Sequence, residues 1–360
     1  MTISIKSHSP SIQHMTQVTV TTPAPREIWS LLMKQDGMAL VTQSPGWTDV
    51  MCRDAGFRDA SRLYEFSDGR KMVLPLVIQG RGFLAAGGSM PEHWGYGGLL
   101  SASGIYPNDI AAVWADLQKT GWEKVRIRPN PLQAAVWKQG QPTNVSAVPS
   151  LSHILALPGD FSTVWDTQFT STTRRNIRKA EKSGLVVERD DAGSLVPALY
   201  DLFKQSVSRW AEKQHEPSWL AHWRSQRRDP QHKFGTMAST LGAEFRLYMA
   251  WYQGEPAAGI LVLQGNNAHY TRGVMNKELA NLTRANDLLH RLAIEAACEA
   301  GCTAYHMGES GDSASLAQFK KRFGAEAVPY ASYFWERLPL TKLDQQARSI
   351  VKKIIGFHDV

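Results

Sequence analysis

The sequence predicts an α+β fold of two tandem domains of like design, each a mixed, mostly antiparallel sheet flanked by helices. Three observations carry this. From Val18 to Trp335, short apolar runs bounded by turn residues alternate with runs of helical period. The second half reads strand, helix, helix, three strands, helix, strand, helix, strand. The first half holds a blurred version of that order, with a helix–glycine–strand unit at 113–128 matching one at 288–307. The third is length: 360 residues suit two domains of the usual ~100–200 residues. The expected divisions are a loose polar tail at 1–14, a first domain at 15–157, a second at 158–338 and a helical tail at 339–360.

Each element has its own signal. Pro25 suits the first turn of a helix through Leu32. Residues 60–66, 70–79 and 81–86 read as strands, split by Asp68-Gly69 and Gly80. Asn108 opens a helix that Gly121 ends, and 124–128 follows as a strand. Residues 139–149 read as a loop and 150–157 as an apolar strand. In the second half 185–188 is a strand. Leu195, Leu199, Leu202, Phe203 and Val207 mark one face of a helix over 195–212. A helix at 217–226 precedes strands at 245–252, 257–263 and 268–274, whose turns hold Gly254 and Gly265-Asn-Asn. Thr283 caps an alanine- and leucine-rich helix ended by Gly301. A strand at 303–307, a helix at 313–323 and a strand at 328–335 complete the order, the last strand packing back on the first domain.

Composition sets bounds. With 43% hydrophobic and 20% charged residues, the chain is globular rather than disordered. No apolar run reaches the ~18 residues of a membrane span, and the first residues carry no signal-peptide core. Three cysteines, Cys52, Cys298 and Cys302, make no disulfide framework. A cytoplasmic location is the expectation. The formal charge of +7 favours anionic partners such as nucleotides, CoA or RNA, and no basic tail points to DNA. HExxH, G-x-S-x-G and P-loop motifs are absent. Cys298, Cys302 and His306 have a superficial metal spacing, but Gly301 interrupts it and no fourth ligand is near, so no metal is expected.

Four segments carry a resemblance: STTRRNIRKAEKSGLVV from Ser171, GEPAAGIL from Gly254, AYHMGESG from Ala304 and LAQFKKRFG from Leu316. In order and spacing they resemble the FemAB-like proteins, transferases built from two GNAT domains, over about residues 60–337. That family includes aminoacyl-tRNA-dependent peptidyltransferases of cell-wall synthesis and a branch of GNAT-type acetyltransferases. The resemblance implies acyl-CoA or aminoacyl-tRNA as co-substrate, no tightly bound cofactor, and an amine-bearing acceptor held between the domains. One departure from ordinary GNAT enzymes stands out. Their glycine-rich turn holds the CoA pyrophosphate on backbone N–H groups at a helix start. Here the stretch is NLTRANDL from Asn281, without glycine and with Asp287. That disfavours CoA in this domain.

Amide formation needs a neutral amine, an activated carbonyl and a donor for the developing oxyanion. Lys320, preceded by Phe319, matches the family's Phe-Lys pair, whose lysine lies beside the reacting carbonyl; the bland alternative is an exposed lysine next to Lys321 and Arg322. Glu309, after Gly308, can take the amine proton or anchor the acceptor. Asp312 suits a helix cap better. Tyr270 and Arg272 share a strand face by period two and are placed at the cleft, with a core role as the alternative for Tyr270. His306 reads as a packed residue. Arg174, Arg175 and Arg178 with Lys179 form a basic run suited to phosphate or tRNA, or simply a solvated face. Arg209-Trp210 resembles the family's helix arginine, and Tyr96-Gly-Gly its Tyr-Gly-Gly turn, where glycine lets backbone approach a ligand.

These residues predict an acyl- or aminoacyltransferase that forms an amide on a sugar, peptide or small-metabolite amine. An acetyl-CoA-dependent N-acetyltransferase of polysaccharide synthesis is the nearest alternative. A non-catalytic RNA- or nucleotide-binding protein with this fold is the alternative of another class. The residues set no oligomeric state.

Overall fold

The computed structural model describes residues 18–338, so the two expected tails, 1–14 and 339–360, lie outside the described residues. The N-terminal half runs β1 (Val18–Thr21), α1 (Arg26–Gln35), α2 (Pro45–Asp54), β2 (Arg58–Asp59), β3 (Arg62–Phe66), β4 (Lys71–Leu74), β5 (Val77–Gln79), β6 (Ala86–Ser89), β7 (Leu100–Ser101), α3 (Pro107–Leu117), β8 (Lys124–Ile127), α4 (Ala134–Gln139) and β9 (Ser146–Ala156). The C-terminal half runs α5 (Phe161–Thr167), α6 (Ser171–Glu181), β10 (Leu185–Asp190), α7 (Val196–Lys213), α8 (Ser218–Arg228), α9 (Gln231–Leu241), β11 (Phe245–Tyr252), β12 (Glu255–Gln264), β13 (Ala268–Met275), α10 (Lys277–Thr283), α11 (Ala285–Glu299), β14 (Ala304–Glu309), α12 (Ala314–Arg322) and β15 (Glu326–Glu336).

The α+β class with mostly antiparallel pairing is what the sequence predicts. One sheet of eleven strands, ordered β10-β11-β12-β13-β14-β9-β15-β8-β6-β5-β2, runs through both halves. A second sheet, β1-β3-β4-β7, lies wholly in the N-terminal half. The halves are joined by an exchange of strands. β9, from the first half, pairs with β14 on one edge and β15 on the other. β15, the last strand, also pairs with β8. The buried strand β12 carries AAGILVL, apolar on both faces because helices cover both. Leu199, Leu202, Phe203 and Val207 of α7 pack on one face with α9 and α2. Ile177 of α6 and Leu288, Leu289 and Ala293 of α11 pack on the other.

Several local expectations differ from the structure. The run 70–79 is two strands, because Pro75 cannot donate to a ladder and the chain there leaves one sheet for the other. Residues 82–84 form a tight turn ahead of β6, and β9 begins inside the expected loop. Helices α2, α4, α5, α9 and α10 escaped the pattern reading. Thr283 ends α10, its hydroxyl bonded back to the Leu279 carbonyl at 2.6 Å. Arg284 then turns through φ +63° into α11. Ser313, not Asp312, caps α12, accepting from the Leu316 N–H at 3.3 Å. Asp109 holds the Tyr106 N–H at 2.8 Å at the start of α3, where Asn108 was expected to act.

The turn Gly265-Asn266-Asn267 does more than reverse the chain. Asn267 is fully buried. Its Oδ1 accepts from the Thr303 and Ala304 N–H groups at 3.1 and 2.9 Å, and its Nδ2 donates to the Gly37 carbonyl at 2.8 Å. Asn266 Nδ2 donates to the Met33 and Asp36 carbonyls at 2.7 and 2.9 Å. One turn thus fixes the starts of β13 and β14 and ties them to the N-terminal half. Buried N–H groups that lose their acceptor cost about 1–3 kcal/mol each. Asn267→Ala is therefore expected to lower stability by about 2–4 kcal/mol in urea unfolding; a change within ~0.5 kcal/mol would show that this peg is dispensable.

Candidate active site

β13 and β14 run parallel but share only two register pairs, Ala268 with Tyr305 and His269 with His306. Beyond them β13 follows β12 to Met275, while β14 follows β9. The strands part like a wedge. A cavity of about 330 Å³ fills that wedge, lined from β13 by 269–273, from β14 by 307–309, from α12 by Lys320, and from the N-terminal half by Trp94, Tyr96 and Arg128.

Lys320 is 1% exposed. Its Nζ donates to the carbonyls of Gly308 and Glu309 at 3.0 and 2.6 Å. An ammonium has three donors, so one remains for the cavity that Lys320 lines. Burial holds its pKa down to about 8, against the pull of Glu309. The exposed-lysine alternative is excluded for Lys320 and describes Lys321 instead.

Glu309 gives Oε1 to three donors: Arg128 Nη2 at 2.6 Å, Ser150 Oγ at 2.7 Å and the Tyr330 hydroxyl. Oε2 makes no hydrogen bond among the described residues. Burial would raise the carboxyl, but Arg128, Tyr330 and Ser150 together hold it below the usual range. It is thus a fixed anion, better at anchoring a cation than at removing a proton. Arg128 also lies 5.1 Å from the Tyr96 ring centre and donates to the Tyr330 hydroxyl at 3.0 Å. Tyr96 is buried, bonded through its hydroxyl to Ser152 Oγ at 2.9 Å and stacked on His269 at 5.0 Å. Burial pushes His306 down to about 3 and His269 well below its ordinary value, so both rings are neutral.

The far end of the cavity is built on Asp229, which is fully buried between α8 and α9. Its Oδ2 accepts from Arg228 Nε and Arg272 Nη2, both at 2.8 Å, and its Oδ1 from Lys233 Nζ at 2.9 Å. Burial would raise this carboxyl, but Arg272, Lys233 and Arg228 hold it far below the usual range. Lys233 is 2% exposed, its Nζ 3.8 Å from the Trp94 ring centre.

The structure brings together Lys320, Glu309, Tyr270, Tyr96, Trp210 and Arg272 around one cavity. Tyr270 and Arg272 nevertheless do not share a sheet face. A β-bulge puts Tyr270 opposite Val262 and Arg272 opposite Leu261, with Thr271 as the extra residue. Tyr270 therefore packs against His290 of α11 at 4.6 Å, and Arg272 against Phe203 of α7 at 5.8 Å. Period two fails at a bulge. Phe319 lies outside the cavity lining, edge-on to His290 and tilted against Phe323. Arg209 is spent on the Met275 carbonyl at 3.1 Å and Ser206 Oγ at 3.2 Å. Arg174 caps the end of α5 through the Trp165, Asp166 and Phe169 carbonyls, while Arg175 and Arg178 are exposed on α6 away from the cavity. In Tyr96-Gly97-Gly98 the glycine serves backbone packing. A Cβ on Gly97 would sit 2.5 Å from the Ser89 carbonyl carbon, and its N–H donates to the Arg128 carbonyl at 2.6 Å.

Sequence reading missed Arg128, Asp229 and Lys233. The available signal was the i,i+4 pair Asp229–Lys233 in a helix start that a proline, Pro230, disguised. Removing the carboxylate leaves three cations without their partner, at a cost of about 3–5 kcal/mol. Asp229→Asn should lower stability at pH 7 by that amount in urea unfolding. Because the folded carboxyl titrates below its unfolded value of about 3.9, the stabilisation is full above that pH and is lost below it. The gap between wild type and variant should therefore close as pH falls below about 4; a constant gap down to about pH 2.5 would contradict this account of Asp229.

Residues 167–321 match the model of the acetyltransferase (GNAT) domain. The crystal structure of FemX superposes with a TM-score of 0.66, covering 90% of this chain and 99% of that one at 13% identity. A conserved protein of unknown function from Bacteroides thetaiotaomicron VPI-5482 superposes at 0.52, covering 89% and 98% at 9% identity. A tandem GNAT protein from the clavulanic acid biosynthesis pathway gives 0.46, covering 90% and 99% at 14% identity. No curated protein sequence matches the chain. Matched over its second half by a GNAT domain and over nearly its whole described length by FemX, the chain has a FemAB-like GNAT fold.

Proposed function

We propose that the protein is a transferase that moves an acyl or aminoacyl group onto an amine, forming an amide, with Lys320 donating to the oxyanion. One observation carries this: a buried ammonium, fixed by two backbone carbonyls, keeps one donor for the cavity at the point where β13 and β14 part. A fixed donor in a site shielded from water needs no reorganisation as charge develops on the attacked carbonyl. The acceptor nitrogen attacks the donor carbonyl carbon, forming the new C–N bond. The carbonyl π pair moves to oxygen, which Lys320 stabilises. Collapse of the intermediate breaks the C–O bond of an aminoacyl ester or the C–S bond of a thioester, and the nitrogen proton leaves with that group or to solvent. Glu309 Oε2, free and anionic, anchors the acceptor amine. The described residues hold no helix long and apolar enough to cross a membrane; the proposed location is the cytoplasm.

For the donor, the N-terminus of α11 supports aminoacyl-tRNA over CoA. Its first turn contains Asp287, whose carboxylate accepts from Asn176 Nδ2 at 3.2 Å, where ordinary GNAT enzymes expose glycine N–H groups to pyrophosphate. Acetyl-CoA should accordingly bind more weakly than micromolar in calorimetric titration; a Kd of about 1 μM or tighter, equivalent to ~8 kcal/mol, would reverse the choice of donor.

The mechanism is tested at Lys320. Losing a fixed oxyanion donor costs about 10²–10³ in kcat, ~3–4 kcal/mol. Lys320→Met should show that loss with KM little changed, and Lys321→Met should retain full turnover. Since Lys320 must keep its proton to serve as a charged donor, wild-type kcat should fall as pH rises through about 8. Full kcat in a folded Lys320→Met protein would remove the catalytic half of the proposal and leave the binding-protein alternative.

A further inference from the structure

We infer that the Asp229 end of the cavity is a binding subsite for a compact oxyanion, a carboxylate or phosphate group carried by the acceptor. The binding itself follows from charge and geometry; only its assignment to the acceptor rests on the transferase reading.

Four cations line the cavity, Arg128, Lys233, Arg272 and Lys320, against two carboxylates, Glu309 and Asp229. At the Glu309 end Arg128 pairs with Glu309, and Lys320, held on two backbone carbonyls, leaves one positive charge over. At the other end one carboxylate serves three cations: Lys233 and Arg272 from the cavity wall and Arg228 from behind. Glu92, next to His93, is 69% exposed on its side chain and lies 3.5 Å from Arg126. His93, which also lines the cavity, adds no charge: burial and the neighbouring Arg228 hold it down to about 4, despite Glu92 and Asp229. The end of the cavity therefore carries an excess of two positive charges.

A purely structural pair would need one cation for one carboxylate. Here the buried Lys233 is matched by Asp229, with the Arg228 carbonyl at 3.4 Å and the Trp94 ring beside it, so the surplus charge stands on Arg228 and Arg272, and a partner anion would complete the set. The donors are also in place. Among the described residues Arg272 spends only Nη2, on Asp229, so Nη1 is uncommitted, and its side chain is 23% exposed at the cavity wall. Asp229 fixes the guanidinium plane, which suits the forked recognition of carboxylate or phosphate. Beneath it, Trp94 lies against Lys233 and edge-on to Trp47 at 5.7 Å, a rigid wall.

The test is binding without turnover, so it fails separately from the transferase reading. The melting temperature of the full chain is followed in sodium phosphate or sodium acetate up to about 50 mM, with sodium chloride holding ionic strength constant. At least one anion should raise Tm saturably by about 2 °C or more. Phosphate alone doing so assigns a phosphoryl group, and acetate alone a carboxylate. Arg272→Gln should abolish the shift, and Arg272→Lys, which keeps the charge but loses the fork, should weaken it at least several-fold in half-saturating concentration. Arg227→Gln, on the exposed face of α8, should leave it unchanged. No shift beyond chloride, or an equal shift in wild type and a folded Arg272 variant, overturns the inference.

Discussion

The site depends on where β9 lies. It is drawn from the first half of the chain, yet it pairs along β14 and along β15 of the second. That pairing pins β14 in one direction while β12 pins β13 in another, and two strands held so cannot stay side by side. The wedge between them goes with the strand exchange and with the bulges at Thr271 of β13 and Met307 of β14, both of which line it. The Asn266–Asn267 turn closes the wedge at its narrow end by holding both strand starts against the first half.

From the wedge follows the environment of Lys320. The chain leaves β14 at Glu309, turns within four residues, and enters α12, which brings Lys320 back beneath the strand end. The carbonyls of Gly308 and Glu309 lie where β13 is no longer alongside, and the ammonium satisfies them. A buried charge needs such partners. The same bonds make Lys320 part of the fold as well as part of the cavity, so its removal must be judged with a measure of folding in hand.

Much of this was legible in the sequence, and what failed failed for physical reasons. Long periodic elements such as α7 and α11, and the strand triplet β11–β13, follow from apolar spacing alone. The return of the last strand to the first half was also readable. Lys320 is singled out in the sequence only by the resemblance of its Phe-Lys pair, since a helix lysine flanked by Lys321 and Arg322 has no local sign of burial. The face shared by Tyr270 and Arg272 was misjudged because a bulge leaves no mark in composition. Arg174 looked like a phosphate ligand, and it caps a neighbouring helix; the choice between those roles is made by packing that a basic run does not encode. Asp229, Lys233 and Arg128 come from three separate places in the chain, and only the fold makes them neighbours of one cavity.

The two ends of the cavity differ in a way that bears on substrate direction. At one end Glu309 and Arg128 cancel, and the carboxylate keeps a single open oxygen in reach of an amine. At the other a lone carboxylate is outnumbered. Between them stand neutral groups, Tyr96 stacked on His269, which add shape without charge. A substrate carrying both an amine and an anion would therefore have its anion drawn to the Asp229 end, where positive charge is in excess, leaving its amine to the open Glu309 oxygen, and enter one way round. That orientation puts the nitrogen at the Glu309 end, beside Lys320, where the proposed chemistry needs it. A carboxylate held below its ordinary pKa favours the ammonium form of the amine it anchors, which slows attack. Such an anchor is useful only if it positions the nitrogen more than it protonates it. Glu309 therefore has a positioning role: the anchored ammonium gives one proton to solvent before the neutral nitrogen attacks, and the second leaves after the C–N bond forms, when the nitrogen is more acidic and a weak acceptor such as the leaving group suffices.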